Sequence, residues 1–309
     1  MADDPSAPLF GELPPGHRSG FVSIVGRPNV GKSTLLNAFL GRKIAIVTPK
    51  PQTTRRRLLG IKTRPLAQIL FVDTPGIHQA RDLLNERMVE QAVGSLPDAD
   101  AVLFVVDAAA ARLNSGDRAI AALLPGPPRP VIVALNKIDA CPKQTLLPLM
   151  AELDALLPGR PIVPVAALTG ENVDTLLAAI EPCLPEGPRY YPADELTDEP
   201  ERAIVAEIVR EKVMLETREE IPYSVAVTID AYQEKPTQNL VVITATVHVA
   251  RESQKPILVG HQGSCIKRIG QTARVDIEAL LGRRVFLELF VRVQADWTKR
   301  VARLREFGL

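Results

Sequence analysis

Residues 21–40 read FVSIVGRPNVGKSTLLNAFL: an apolar run, a loop bounded by glycines, then a segment of helical spacing. Inside it, Gly26-Arg-Pro-Asn-Val-Gly31-Lys32-Ser33 fits the pattern Gly-x4-Gly-Lys-Ser/Thr. It follows a strand expected at Phe21–Val25 and precedes a helix expected at Ser33–Leu40. The glycines let successive backbone N–H groups turn toward an anion at a helix N-terminus. The motif predicts that Lys32 reaches the β- and γ-phosphates of a nucleotide and that the Ser33 hydroxyl ligates Mg²⁺. The strand–loop–helix setting raises the match above a chance loop.

Further strand-like runs occur at Ile69–Val72, Ala101–Val106, Val131–Leu135 and Ile162–Val165. Helical spacing falls between them, at Asp82–Val93, Thr145–Leu157 and Val173–Ile180. Alternation of this kind predicts an α/β fold, a doubly wound and mainly parallel sheet over residues 20–184. Ligand loops then belong at the carboxyl ends of the strands. The proline-rich stretch LPEGPRYYP (184–192) suits a linker, expected over 185–200. Beyond it, residues 201–309 read as a smaller α+β domain. A helix is expected over Glu201–Glu219 and strands over Tyr223–Tyr232 and Asn239–Ala250. A Gly-x-x-Gly loop, a helix near Ser264–Leu281, a strand near Arg284–Val293 and a terminal helix follow. The acidic, proline-rich start has no basic n-region or apolar h-region, so residues 1–19 read as a flexible tail and not a signal peptide.

The chain has 309 residues, with 46% hydrophobic and 24% charged content, which is ordinary for a soluble globular protein long enough for two cores. No apolar run approaches the roughly 20 residues that a spanning helix needs. Three cysteines without CxxC spacing argue for a reducing, cytoplasmic setting and against disulfides or a zinc site. The net charge of +1 is unevenly divided: Arg251–Leu309 holds 12 Lys/Arg against 6 Asp/Glu, +6, which leaves −5 for residues 1–250. That asymmetry points the C-terminal part toward a polyanion.

Two further motifs fill out a nucleotide site. DTPGIH (73–78) ends a strand in an Asp-x-x-Gly turn, where Asp73 would hold Mg²⁺ through water and the Gly76 N–H would sense a γ-phosphate. The residue after that glycine is often a glutamine that positions the attacking water. Here it is Ile77, so the sequence raises the question of whether nucleotide is hydrolysed at all. After the strand at Val131–Leu135 comes Asn136-Lys137-Ile138-Asp139. The Asp139 carboxylate can accept from N1–H and the 2-amino group of guanine, donors that adenine lacks there. Lys137 would lay its stem over the base, and Asn136 would tie the base loop to the phosphate loop.

Together GRPNVGKST (26–34), PQTTRRR (51–57), DTPGIH, NKID (136–139), AALTGENVD (166–174) and VGHQGSCIKRIG (259–270) resemble the Era family, bacterial P-loop GTPases with a C-terminal type II KH domain. The resemblance covers nearly all of the chain after residue 20. It implies GTP and GDP as ligands of Gly26, Asn29, Val30, Gly31, Lys32, Ser33, Thr34, Asp73, Gly76, Asn136, Lys137, Asp139, Ala166, Ala167 and Leu168. It implies Mg²⁺ at Ser33, Asp73 and a threonine, for which Thr53 and Thr54 are candidates and Thr54 is favoured. Lys32, Thr54, Gly76 and Asn29 are then the catalytic set. The fifth motif usually reads Ser-Ala, and here it is Ala166-Ala167, so a hydroxyl that would brace Asp139 is missing. Relatives with an apolar residue in place of Ile77 resemble a group that uses K⁺ against the phosphates, with an asparagine of the phosphate loop as ligand. Asn29 occupies that place.

Gly260-His261-Gln262-Gly263 lies after two strands and between two helical segments, as in KH modules that clamp about four single-stranded nucleotides. Lys267, Arg268 and Arg274 follow on the next helix and would add attraction for phosphate. The family implies the 3′ end of 16S ribosomal RNA and the 30S subunit as partners, a monomer, a cytoplasmic location and a possible peripheral contact with the inner membrane. Arg55, Arg56 and Arg57 read as a solvated or RNA-facing segment, with internal arginine fingers as the other option. Trp297 and Phe307 read as packing residues of the last helix. Two functions remain open: a GTPase whose nucleotide state times RNA binding, or a KH module in which GTP is structural and hydrolysis negligible.

Overall fold

The computed structural model describes residues 13–77, 83–94 and 97–308. Residues 1–12 of the expected tail, His78 of the DTPGIH stretch and Asp82 lie outside the described residues. The chain divides into two compact units. The first draws on residues 1–41, 57–78 and 89–198, and the second on residues 42–56, 79–88 and 199–309.

In the first unit the strands β1 (Arg18–Val25), β2 (Leu58–Thr63), β3 (Ala67–Asp73), β4 (Ala101–Asp107), β5 (Val131–Asn136) and β6 (Ile162–Val165) form one sheet in the order β2-β3-β1-β4-β5-β6. All neighbours are parallel except β2, which runs antiparallel to β3. The register shows why helices cover both faces. Val22 pairs with Phe71 and Val25 with Phe104, and residues three apart on β1 point to opposite faces. Phe71 stacks on Phe39 of α1 (Lys32–Leu40), with ring centroids 4.4 Å apart. Phe104 and Val25 join a cluster with Ile120 of α3 (Ser115–Ala121) and Leu149 and Leu153 of α4 (Leu146–Leu156). Helix α5 (Val173–Ile180) packs beside α1. Strands buried on both faces read as continuous apolar runs, which is why β3 and β4 stand out in the sequence.

β1 begins earlier than expected. Arg18 and Ser19, assigned above to the tail, pair with Ala67 and Gln68. Residues 185–198 are likewise no free linker. Pro185 O accepts from Ser19 N at 3.1 Å, and Leu196 O accepts from Ile61 N at 2.8 Å. The fully buried Gln68 side chain accepts from the amides of Tyr190 and Tyr191 at 2.8 and 3.0 Å. A buried amide side chain needs such partners, and this stretch supplies them.

The second unit follows the expected α-β-β-α-α-β order. Helix α2 (Leu83–Gly94) precedes it in the chain and places Leu84 and Met88 in its cores. Then come α6 (Glu201–Glu216), β7 (Ala226–Lys235), β8 (Leu240–Val249), α7 (Gln254–Val259), α8 (Ser264–Leu281), β9 (Arg284–Val293) and α9 (Val301–Glu306). The sheet order is β7-β8-β9, antiparallel then parallel, with a bulge between Ile229 and Ala231. α6 and α8 pack against each other and onto the sheet. Trp297 lies in a short turn before α9 and not on the last helix, but it is a packing residue as expected. It is fully buried, meets Phe307 edge-on at 5.0 Å and donates to Ser224 O at 3.0 Å.

Candidate functional site

In the first unit, chain order reverses around β1, between β3 and β4, and this is where a doubly wound sheet opens a crevice at its carboxyl ends. The loop leaving β1 there is Gly26–Gly31. A Cβ on Gly26 would lie 2.5 Å from Val105 O, and one on Gly31 2.3 Å from Asn136 Nδ2, so both positions exclude side chains. Asn29 takes a left-handed φ of 64° that lets the loop turn. Lys32 opens α1 and folds back, its Nζ donating to Gly26 O and Arg27 O at 3.1 Å each. Burial pushes the Lys32 pKa down to about 8, against the pull of Asp73 and with added repulsion from Arg27. A buried ammonium hydrogen-bonded to two neutral carbonyls is a site prepared for an anion. Thr34 follows in the first turn of α1.

Ser33 Oγ donates to Asp73 Oδ2 at 2.7 Å, which brings two of the three expected metal ligands together. Hard oxygen donors on a fully buried carboxylate fit Mg²⁺. The third, Thr54, falls in segment 42–56 of the second unit. Gly76 sits tight against the phosphate loop, since a Cβ there would lie 2.7 Å from Pro28 N. Ile77 donates its amide to Gly26 O at 3.2 Å and packs its side chain against the cluster around Phe104. Its side chain therefore serves the core.

The base loops are joined to the phosphate loop by one side chain. Asn136, 1% exposed, donates from Nδ2 to Val30 O at 2.9 Å and accepts at Oδ1 from Ala167 N at 3.0 Å. Lys137 Nζ donates to Asn29 O at 2.7 Å and to Asp107 Oδ2 at 2.6 Å. Asp139 and Leu168 are exposed at the rim, whereas Ala166 and Ala167 are buried. Two partners escaped the sequence motifs. Asp107 ends β4 and orients Lys137, and Asp117 binds Arg27 Nε at 2.7 Å while capping α3. The Asn114-x-x-Asp117 capping box was the available signal for the second.

The second unit carries the other candidate site. Gly260 and Gly263 have φ of 75° and 79°, and Gly263 N donates to Gly260 O at 3.2 Å, which closes the loop. His261 and Gln262 are exposed at its tip and Lys267 just beyond it. Arg268 is less available than expected, because its Nε donates to Glu216 at 2.5 Å. Beside the loop, a groove of about 320 Å³ lies between α8 and β9, lined by Lys267, Arg274 and the exposed Phe286. Segment 42–56 is also fastened within this unit. Arg55, 4% exposed, donates to Val225 O and Pro222 O at 2.6 and 3.1 Å, so it is neither solvated nor a free arginine finger.

A phosphate loop, an Asp-x-x-Gly turn and an Asn-Lys-x-Asp loop tied to the phosphate loop define the first unit as a P-loop GTPase domain, and the second unit is a KH module. Comparison with known proteins agrees. A family model described as 50S ribosome-binding GTPase matches residues 21–137, and a KH domain model matches residues 220–298. The chain is 51% identical to GTPase Era of Geobacter metallireducens over 291 residues, 94% of this chain and 97% of the relative. It is 50% identical to GTPase Era of Geotalea daltonii over 290 residues, with the same coverage of both. A crystal structure of an Aquifex aeolicus Era variant bound to GDP·AlF4⁻ matches with a TM-score of 0.89 at 46% identity, covering 94% of this chain and 99% of that one. Era in complex with MgGDPNP and nucleotides 1506–1542 of 16S ribosomal RNA matches with a TM-score of 0.90, at the same identity and coverage. The chain belongs to the Era family of GTPases. Among the described residues no helix is long and apolar enough to cross a membrane.

Proposed function

We propose that this chain hydrolyses GTP in the first unit and, with its KH unit, binds the single-stranded 3′ end of small-subunit ribosomal RNA during assembly of the 30S subunit in the cytoplasm. The observation that carries the nucleotide half is Asn136, whose two hydrogen bonds hold the phosphate loop and both base loops in one frame. The RNA half rests on the closed Gly-x-x-Gly loop beside the groove lined by Lys267, Arg274 and Phe286. It is supported by the relative solved with a 16S RNA fragment.

In this reading backbone amides from Gly26 to Ser33 receive the phosphates, and Lys32 gives up its carbonyl partners for the β- and γ-phosphates. Asp139 accepts from guanine N1–H and the 2-amino group, Ala167 N meets the 6-keto oxygen, and Lys137 covers the base. The Gly76 amide senses the γ-phosphate. Ser33, Asp73 and Thr54 would hold Mg²⁺, which when bound neutralises charge spread over the β- and γ-phosphates. Asn29, exposed at the rim of the phosphate loop, would offer an amide oxygen to K⁺, which supplies positive charge in place of an arginine finger. Since the partly buried Ile77 side chain packs against the core, its lack of hydrogen-bonding capacity does not argue against hydrolysis. A relative crystallised with GDP·AlF4⁻, a mimic of the phosphoryl group in transfer, supports turnover over a merely structural nucleotide.

The test is GTP turnover by the purified chain in K⁺ and in Na⁺, with and without RNA carrying a small-subunit 3′ end. Faster turnover in K⁺, lost in Asn29→Ala, supports the cation ligand, and equal rates in both salts remove it. Turnover at the uncatalysed background in every condition would leave a KH module with structural GTP.

A further inference from the structure

A concavity of about 350 Å³ in the second unit is walled by the end of segment 42–56, the first turns of α6, the start of β7 and α9. That volume falls in the roughly 300–1,000 Å³ range of small-ligand sites. Five arginines line it, Arg55, Arg56, Arg202, Arg210 and Arg305, against two carboxylates, Glu207 and Glu306. Both carboxylates are already engaged. Arg210 donates to Glu207 through Nε at 2.9 Å and Nη2 at 2.5 Å, and Arg303, outside the basin, pairs with Glu306. Burial pushes the Glu207 carboxyl up, yet Arg210, with Arg56 and Arg55 behind it, brings it below the usual range. Among the described residues no carboxylate pairs with Arg56, Arg202 or Arg305. Arg55 donates to the carbonyls of Val225 and Pro222, and Arg202 lies 5.4 Å from the Tyr232 ring centroid.

The basin therefore concentrates positive charge that its own acids do not cancel. An ordinary basic surface spreads such charge over convex, hydrated ground. Here it converges on a hollow with apolar walls at Ala203, Ala206 and Phe307, where field lines focus and water screens less. The choice of side chain narrows the ligand, because every cation lining the basin is an arginine. A guanidinium presents a planar fork that matches phosphate oxygens two at a time, which an ammonium cannot do. The elements involved are not those of the Gly-x-x-Gly groove, which lies between α8 and β9.

We propose that this basin is a second phosphate-binding site, separate from both the phosphate loop and the Gly-x-x-Gly loop, that takes two adjacent phosphate groups. The phosphates come either from a free pyrophosphate-bearing anion or from the backbone of an RNA strand. Arg56, in the arginine run after Gln52-Thr53-Thr54, thereby has an anion-binding role outside the nucleotide chemistry.

The experiment uses the full chain saturated with GDP and Mg²⁺, so that the phosphate loop is filled. Calorimetric titration with inorganic pyrophosphate forms the first arm. Binding that weakens at least tenfold in the Arg56→Gln/Arg305→Gln double variant, and is kept in part by Arg56→Lys/Arg305→Lys, identifies a free-anion site. The second arm measures affinity for a single-stranded RNA of small-subunit 3′-end sequence against salt. A slope of log K on log salt that falls by about 0.7 per lost phosphate contact in the double variant identifies backbone phosphates. Arg202→Gln, at an exposed position, repeats both arms should the double variant prove unstable. If pyrophosphate does not bind, and RNA either keeps its salt slope in the double variant or is not bound, the proposal is wrong. The pyrophosphate arm does not depend on RNA binding, so failure of the RNA assignment and failure of the basin are told apart.

Discussion

Replacing Asn136 by Ala tests the frame on which the nucleotide site is built. The side chain makes two buried hydrogen bonds, to Val30 O at 2.9 Å and from Ala167 N at 3.0 Å, and both partner residues are themselves buried. A neutral hydrogen bond contributes about 0.5–1.5 kcal/mol net, so losing two removes about 1–3 kcal/mol from the arrangement that nucleotide requires. At about 1.4 kcal/mol per factor of ten, GDP affinity should fall roughly 5- to 150-fold. Asn136→Asp keeps the acceptor for Ala167 but sets a carboxylate oxygen against Val30 O, so it should be at least as weak. Gly31→Ala attacks the same frame from the other side, because the new Cβ would lie 2.3 Å from Asn136 Nδ2. Since both substitutions act on the same Asn136 side chain, their effects should be strongly non-additive in a double-mutant cycle. GDP titrations at fixed Mg²⁺, with circular dichroism to confirm folding, provide the readout. A folded Asn136→Ala protein that binds GDP within twofold of the parent would show that the three loops are positioned by something else.

Lys32, with its pKa near 8 and below the ordinary 10.5, is held by burial in favour of the neutral amine. The unfolded chain keeps the proton that the folded lysine loses between those values. Stability of the nucleotide-free protein should therefore rise as pH climbs through that window and be lost again as pH falls. Phosphates favour the charged form, so GDP affinity should drop and binding should take up a proton as pH passes 8; equal affinities at pH 7 and 9 would refute this. Asp139→Asn should turn base preference from guanine toward xanthine, whose 2-oxo group accepts from the new amide, as competition between GDP and XDP would reveal. Gly263→Asp places a carboxylate on the loop where a Cβ meets nothing within 4 Å; the φ of 79° strains any side chain, but aspartate is among the residues that tolerate this region, so the fold should survive while RNA affinity falls at least tenfold by anisotropy. Gly260 is the poorer probe, since a Cβ there would lie 2.7 Å from Cys265 N and disturb the loop itself.

The phosphate, DTPG and base motifs were legible because each position answers to a demand on the backbone that only a few residue types meet. Gly31 is glycine because Asn136 fills its side-chain space, and Gly26 because Val105 O does. Such demands leave the same residues at the same spacing. Elements without them escaped. Strand β2 carries no expectation above because Gly60 interrupts its β-forming run. That glycine is needed because a Cβ would lie 2.4 Å from Leu36 Cδ1, where α1 crosses the strand. Helix α3, seven residues with a glycine inside, depends on its Asn114–Asp117 cap more than on periodicity.

Arg55 and Ile77 show what a motif cannot carry. Each was weighed above for a part in catalysis, and each has its partners far away in the chain: Arg55 at Pro222 and Val225, Ile77 against the cluster around Phe104. A buried guanidinium and an isoleucine in a switch-like turn have no local signature that separates packing from chemistry. Burial decides it. An arginine 4% exposed that donates to two fixed carbonyls would have to abandon both to reach a phosphate, leaving those buried acceptors unsatisfied at about 1–3 kcal/mol each. Arg56, half-buried and without a carboxylate partner among the described residues, bears no such cost, and of the two it is the arginine free to meet an anion.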